Sequence, residues 1–334
     1  MLLYHPYMGD MRIVFMGTPN VVVPILQATE RIATNLDADI VAVYTGPDRP
    51  AGRGRKLTAS PVKEYALTRG YDVLTPARVT NEDEIARFET IGADLVILAA
   101  YGLLLPAPFL FGPTHGTVNV HPSLLPTHRG ASPVAGALLA GDRITGTTII
   151  TMDEGLDTGP VLAMEEIALD GTERTPELTE RLFALGARLL ESAVPAYVRA
   201  QLRPRPQTAE GASVIRRFKK SDSDLDFSRP AAELERRVRA LNPWPGTATT
   251  WRGERLDVLA ASVLGESNAA GASDVVGGSG ATPGTAVTIG NDIAIATGEG
   301  LLLLERVRPA GKNAMAARDF VRTRAEFVGA VLPI

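Results

Sequence analysis

The sequence predicts an α/β protein in which a doubly wound parallel sheet is followed by a small β-barrel. Three observations carry that prediction. From residue 12 to about 201, short β-branched runs alternate with amphipathic segments, the pattern of strands joined by crossover helices. Between residues 246 and 308 five short apolar runs follow one another closely, as in a small barrel. The stretch between, 204–228, has prolines early and charges late, which reads as a linker. The expected organisation is a first domain over 11–203, a linker over 204–229 and a second domain over 230–334.

Residues 12–16 (RIVFM), closed by Gly17, read as a buried strand, 21–33 as a helix and 39–45 (DIVAVYT) as the second strand. Helices are expected around 62–69 and 82–89, with strands at 94–99 (DLVILA) and 117–121 (TVNVH). Runs 145–152 (TGTTIITM) and 161–168 flank a glycine-rich turn, which suits a hairpin or paired strands, and 176–200 is a long helical pattern. Past the linker, 231–241 reads as a short helix. Strands follow near 246–251, 256–264, 284–289, 293–297 and 301–308, interrupted by a low-complexity insertion at 267–283. In a doubly wound sheet the ligand site lies at the carboxyl ends of the strands.

Composition narrows the chemistry. The 334 residues are 45% apolar, enough for two cores. The absence of cysteine removes disulfides, thiolate-held metals, iron–sulfur clusters and thiol nucleophiles. A net charge of -4 argues against a uniformly basic surface. No run approaches the roughly 18–20 apolar residues of a membrane span, and residues 1–10, with Pro6, Gly9 and Asp10, do not read as a secretory signal. A cytoplasmic protein is expected, with Met8 and Met11 as alternative starts to Met1.

Gly17-Thr18-Pro19 lacks the spacing of a dinucleotide fingerprint, and Ser60-Pro61-Val62-Lys63 is an S-x-x-K without its partner motifs. The densest polar cluster is 119–130, NVHPSLLPTHRG. Strand alternation puts Asn119 and His121 on one face, and Pro122 ends the strand beside them. Zinc at His121 and His128 lacks a third ligand, so no metal is expected. A second cluster, 153–159 (DEGLDTG), offers carboxylates on a glycine-rich turn. One of these carboxylates, such as Asp157, is suited to orient His121 and favour its imidazolium, making an acid/base pair without metal.

These segments resemble the methionyl-tRNA formyltransferase family. The resemblance runs through Phe15–Pro19, the 47–63 loop, Ala100-Tyr101-Gly102, 119–130, 153–159, Asn242-Pro243-Trp244-Pro245 and Pro309-Ala310-Gly311-Lys312. It implies a Rossmann-like formyltransferase domain with a C-terminal OB-like domain that binds tRNA. The donor would be 10-formyltetrahydrofolate and the acceptor the α-amino group of methionine on initiator methionyl-tRNA. It also implies a catalytic trio of Asn119, His121 and Asp157. Folate would be held by Tyr101, Gly102, Leu103 and Leu104, by Ser123, Leu124, Leu125 and Pro126, and by Asp153, Gly155 and Leu156. The tRNA would be met by Arg49, Arg53, Arg55, Lys56 and Lys63, by Arg216, Lys219 and Lys220, and by Lys312. A monomer is the family expectation. Thr127-His128 departs from a pair that often holds a basic or aromatic residue.

The trio alone leaves the acceptor open between the tRNA, a small amine such as a nucleotide sugar or ribonucleotide, and water. The 47–63 loop, the N-P-W-P linker and the terminal P-A-G-K favour the tRNA. Charge placement agrees. Segment 47–63 is +4, 204–220 is +4 and 300–326 is +3, so a set at +11 is offset by a remainder at -15, and all five lysines fall in the basic set. Such a separation suits a backbone-gripping face whose binding weakens with salt.

Overall fold

The computed structural model describes residues 11–51, 54, 56–264 and 281–333. Met1, Met8, Arg53, Arg55 and most of the 267–283 insertion lie outside them. The chain forms two compact units.

The first unit is built on a seven-stranded sheet. Its central strand, β1 (Met11–Gly17), is followed by a 3-10 turn at Asn20–Val22 and helix α1 (Val23–Leu36), then β2 (Ala38–Tyr44). A short hairpin, β3 (Arg49–Ala51) with β4 (Lys56–Thr58), leads to α2 (Pro61–Thr68) and β5 (Val73–Leu74). Next come α3 (Glu82–Ile91), β6 (Leu95–Ala99), α4 (Ala107–Phe111), β7 (Thr117–His121) and β8 (Arg129–Gly130). Helix α5 (Pro133–Ala140), β9 (Ile144–Thr151), β10 (Val161–Ala168), α6 (Thr175–Val198) and β11 (Val214–Ile215) follow.

The order is β10-β9-β7-β6-β1-β2-β5. Winding proceeds from β1 to β2 and β5 on one side and then to β6 and β7 on the other, so the switch point falls between β1 and β6. The sheet is parallel from β5 to β7, while β9 runs antiparallel to both β7 and β10, in keeping with the hairpin expected of 145–152 and 161–168. For β9 and β10 the reason is length, since residues 152–160 are too few for a crossover connection. Alternation along β1 sends Ile13 and Phe15 into one core, with Ile25, Leu95 and Val118, and Val14 and Met16 into the other, with Tyr44, Leu98 and Phe109. Ser60-Pro61-Val62-Lys63 turns out to be a helix start: Ser60 Oγ accepts from Lys63 N at 3.0 Å and Pro61 occupies the first turn of α2.

The stretch expected as a linker does not leave this unit at once. Arg205 and Val161 exchange both backbone hydrogen bonds, at 2.7 and 2.8 Å, and β11 lies parallel to β8.

The second unit contains α7 (Ala231–Leu241), β12 (Ala248–Trp251), β13 (Glu254–Val263), β14 (Ala286–Ile289), β15 (Asp292–Ala296), β16 (Leu301–Pro309), β17 (Met315–Ala316) and α8 (Ala317–Arg322). Its sheet runs β12-β13-β16-β15-β14 with β17 against β16, a curled antiparallel half-barrel; among the described residues no ladder joins β12 to β14. Alternating residues such as Val258, Ile295, Leu302 and Val307 pack with Leu234 and Val238 of α7 and Phe320 of α8. Trp251, Phe320 and Phe327 meet edge to face at 5.2 to 5.8 Å. Nearly all of α5 (134–143 with the turn after it) and residues 169–177, which run into the start of α6, belong to this unit and not to the first; buried Arg239 donates to the Glu173 carbonyl at 2.9 Å and pairs with Glu235 at 2.5 Å. No described helix is long and apolar enough to cross a membrane.

Candidate active site

Strand β7 positions the first two polar groups. It is hydrogen-bonded on both sides, to β6 and β9, and all five of its residues are buried. Asn119 and His121 thus share one face of a strand whose backbone is fixed by pairing on both sides. Asn119 and His121 are 7% and 4% exposed. The next switch-point strands end close by: Thr18 Oγ1, after β1, donates to the Tyr101 carbonyl at 3.3 Å and accepts from Gly46 N at 3.1 Å.

The third group arrives on the loop between β9 and β10. Asp157 Oδ1 is 3.5 Å from Asn119 Nδ2 and 3.6 Å from His121 Nδ1, while Oδ2 accepts from Gly130 N at 2.8 Å. One carboxylate oxygen thus faces both the amide and the ring. Two glycines are required for this approach. Gly130 has φ +99 and a Cβ there would sit 2.6 Å from the Ile215 carbonyl oxygen; a Cβ on buried Gly159 would drive into the Thr151 carbonyl. Asp157 itself is in the left-handed region at φ 53, an uncommon place for a residue with a side chain.

The His121 ring is ordered by what it can bond. Nε2 lies 3.0 Å from the His128 carbonyl oxygen, which only accepts, so Nε2 carries the hydrogen in the neutral ring and Nδ1 presents its lone pair to Asp157. Burial lowers the ring below its ordinary value of 6.5; Asp157 and the His128 carbonyl push it up and the His128 ring pushes it down. Burial is the largest of these. The expected preference for imidazolium is therefore corrected for the resting site: Asp157 acts in the anticipated direction, but desolvation outweighs it.

Two further residues, Gln207 and Arg129, complete the surround, and Gln207 did not stand out in the sequence. Gln207, in the supposed linker, donates from Nε2 to the carbonyls of Asp157 and Gly159 at 2.8 and 2.7 Å. Its Oε1 accepts from Arg129 Nε and Nη2 at 3.2 and 2.8 Å. Only proximity in the fold could have found Gln207, because it lies 50 residues from Asp157. Arg129 had a signal in the S-L-L-P-x-x-R-G run.

The residues expected to meet folate divide. Tyr101, Ser123 and Leu125 are buried, with Tyr101 in the core beside Phe109. Ser123 Oγ donates to the Thr127 carbonyl at 2.7 Å, fixing the loop that includes Leu124 and Pro126. Asp153 is likewise occupied, accepting from Gly155 N at 3.0 Å and Thr158 Oγ1 at 2.7 Å. Leu104 and Leu156 are 83% and 53% exposed, Leu103 is half-buried and Gly102 exposed. Among the described residues no three His, Cys, Asp or Glu side chains gather in a group that could hold a metal ion.

The basic residues divide as well. Arg49, Lys56, Lys219, Lys220 and Lys312 are exposed. Lys63 is paired with Asp48 at 2.7 Å, and Arg216 makes two 2.7 Å bonds to Asp222, whose carboxyl that fork holds far below its ordinary value. Arg308 similarly pairs with Asp257 at 2.7 Å, so part of the basic excess is neutralised locally.

Comparison with known proteins bears on this constellation. Residues 11–194 match the profile of the formyl transferase family and 217–325 that of the formyl transferase C-terminal domain. The methionyl-tRNA formyltransferase of Myxococcus xanthus is 45% identical over 315 residues, covering 94% of this chain and 96% of its own. That of Roseiflexus castenholzii is 42% identical over 313 residues, covering 94% and 96%. Among solved structures, the N-formyltransferase of Helicobacter canadensis in complex with folinic acid and dTDP-3-aminofucose superposes with a TM-score of 0.61 at 14% identity, covering 88% of this chain and 98% of its own; at that identity it speaks for the fold alone.

Proposed function

The chain belongs to the methionyl-tRNA formyltransferase family, and from that premise we propose how its residues divide the reaction. It transfers a formyl group from 10-formyltetrahydrofolate to the α-amino group of methionine on initiator methionyl-tRNA, yielding the formylated form used in translation initiation. Attack of an amine on a formyl carbonyl makes three demands: the amine must lose a proton, the carbonyl oxygen becomes negative, and the departing nitrogen must gain a proton.

Three side chains meet them. Asn119 donates from its amide to the developing oxyanion. His121, neutral at rest with its Nδ1 lone pair exposed to Asp157, takes up a proton as the amine adds, stabilises the oxyanion as imidazolium and delivers the proton to the leaving nitrogen. Asp157 stabilises that imidazolium and helps, directly or through water, to take the proton from the amine. The observation that carries this reading is the single oxygen, Asp157 Oδ1, within 3.6 Å of both partners.

The exposed side chains of Leu104 and Leu156 offer apolar faces to the flat rings of the donor, and backbone groups of 101–104, 123–126 and 153–157, including Gly102, Gly155 and Leu103, serve its polar edge. We assign 11–203 to catalysis and 230–334 to tRNA binding, joined by 204–229. The 47–63 loop with Arg49, Arg53, Arg55, Lys56 and Lys63, the linker residues Arg216, Lys219 and Lys220, and Lys312 follow the RNA backbone. The protein acts in the cytoplasm as a monomer. Presenting formyl-labelled donor with charged initiator tRNA, an amino-sugar nucleotide or water alone tests the acceptor; label moving to the sugar or released as formate at the rate of tRNA formylation would refute it.

A further inference from the structure

Gln207 is half-buried and all of its hydrogen-bonding ends are engaged. Both amide hydrogens go to carbonyls that bracket Thr158, and both bonds to its oxygen come from one guanidinium. This satisfies the donor and acceptor capacity of a primary amide, which is more than packing a linker requires. The two carbonyls belong to Asp157, in its left-handed conformation, and to Gly159, which has no room for a side chain. A residue held at positive φ costs on the order of 1–3 kcal/mol and persists only where its surroundings over-determine it.

The Arg129-Gly130 dipeptide supplies that constraint twice. Gly130 N–H donates directly to Asp157 Oδ2 at 2.8 Å, and Arg129 orients the amide that grips the Asp157 backbone. With Oδ2 engaged and the backbone pinned, rotation of the carboxylate is blocked and Oδ1 is left facing Asn119 and His121. Holding a reacting group within a few tenths of an ångström of its working place is worth orders of magnitude in rate.

We propose that Gln207 is a positioning residue for formyl transfer: its amide, set by Arg129, holds the Asp157 loop so that Oδ1 stays against His121 and Asn119. This rests on the assignment of Asp157 to the catalytic trio. Two variants separate its two ends. Gln207→Glu keeps the shape and the contact with Arg129 but turns the donor end into an acceptor facing two carbonyls. Gln207→Leu removes both ends.

The test measures steady-state transfer to charged initiator tRNA, with both substrates varied, by the full chain carrying Gln207→Glu, Gln207→Leu, Asp157→Asn, or Gln207→Leu with Asp157→Asn. Both Gln207 variants should lose about 10- to 100-fold in kcat, with KM for either substrate changed less than threefold. In the Asp157→Asn background Gln207→Leu should cost less than a further twofold. The chain has four histidines, so the His121 ring can be followed by NMR; its titration midpoint should fall in Gln207→Leu as the influence of Asp157 weakens. Full kcat in Gln207→Glu, a loss confined to KM, or additive losses in the double variant would overturn the proposal. Wild-type turnover by Asp157→Asn would instead overturn the trio assignment, and the proposal with it.

Discussion

Replacing Asn119 tests the central assignment most directly. Its side chain lies on a strand paired on both sides, so truncation to alanine leaves the β7 backbone bonds in place. The variant should fold and bind folate within threefold of wild type. Losing an oxyanion donor should cost about 10²–10³ in kcat, or roughly 3–4 kcal/mol. Asn119→Asp sharpens the test because it keeps the shape and reverses the role. It would set a second carboxylate oxygen about where Nδ2 now stands, 3.5 Å from Asp157 Oδ1. At an effective dielectric of about 20, two like charges at that distance repel by about 5 kcal/mol.

That repulsion raises the folded-state pKa of the introduced carboxyl above its unfolded value of about 3.9. Between those values the folded chain binds more protons than the unfolded one, so stability is lost as pH rises. Asn119→Asp should therefore unfold near the wild-type temperature at pH 4.5 and well below it at pH 8, whereas Asn119→Ala should show no such pH-dependent gap. Single-turnover formylation, folate titration and thermal denaturation at the two pH values provide the assay. Turnover by Asn119→Ala within tenfold of wild type would refute the oxyanion role, and a pH-independent penalty in Asn119→Asp would refute the stated proximity to Asp157.

Burial lowers the His121 ring, so below its ordinary value of about 6.5 the unfolded chain binds the extra proton and the fold loses stability as pH falls; His121→Gln should gain in thermal midpoint relative to wild type at pH 5.5 compared with pH 7.5, and an unchanged difference would count against a buried neutral ring. Gly130→Ala should cost about 1–3 kcal/mol through its left-handed φ and the Ile215 carbonyl 2.6 Å from the new Cβ, and should reduce kcat at least tenfold by moving the N–H that holds Asp157, read by denaturation and turnover together. Reversing the charge of Arg53 and Lys56 together should raise KM for tRNA about tenfold and flatten its salt dependence by roughly 1.5 in log–log slope; equal damage to folate KM would argue that this loop does not face the RNA.

Much of the fold was legible in the sequence because strand and helix periodicities are local. The run 117–121 and the helix 231–241 lie where alternation and amphipathicity put them, and Asn119 and His121 share a face because a strand has a period of two. Charge arithmetic located the basic segments but not their partners: Lys63 is met by Asp48 and Arg308 by Asp257, 15 and 51 residues away.

The sequence by itself determined the strand-and-helix order, the amide, imidazole and carboxylate available for chemistry, and the confinement of lysine to three segments. Tertiary structure alone decided the pairing of β9 against β7 and the convergence of Asp157 Oδ1 on two partners. It also decided the desolvation that overrides that carboxylate at His121 and the Arg129–Gln207 grip on the Asp157 loop. The division has a physical cause. Periodicity reports on neighbours within a turn or two of chain, whereas burial and hydrogen-bond partnership depend on distances between residues tens of positions apart, which exist only once the sheet has formed.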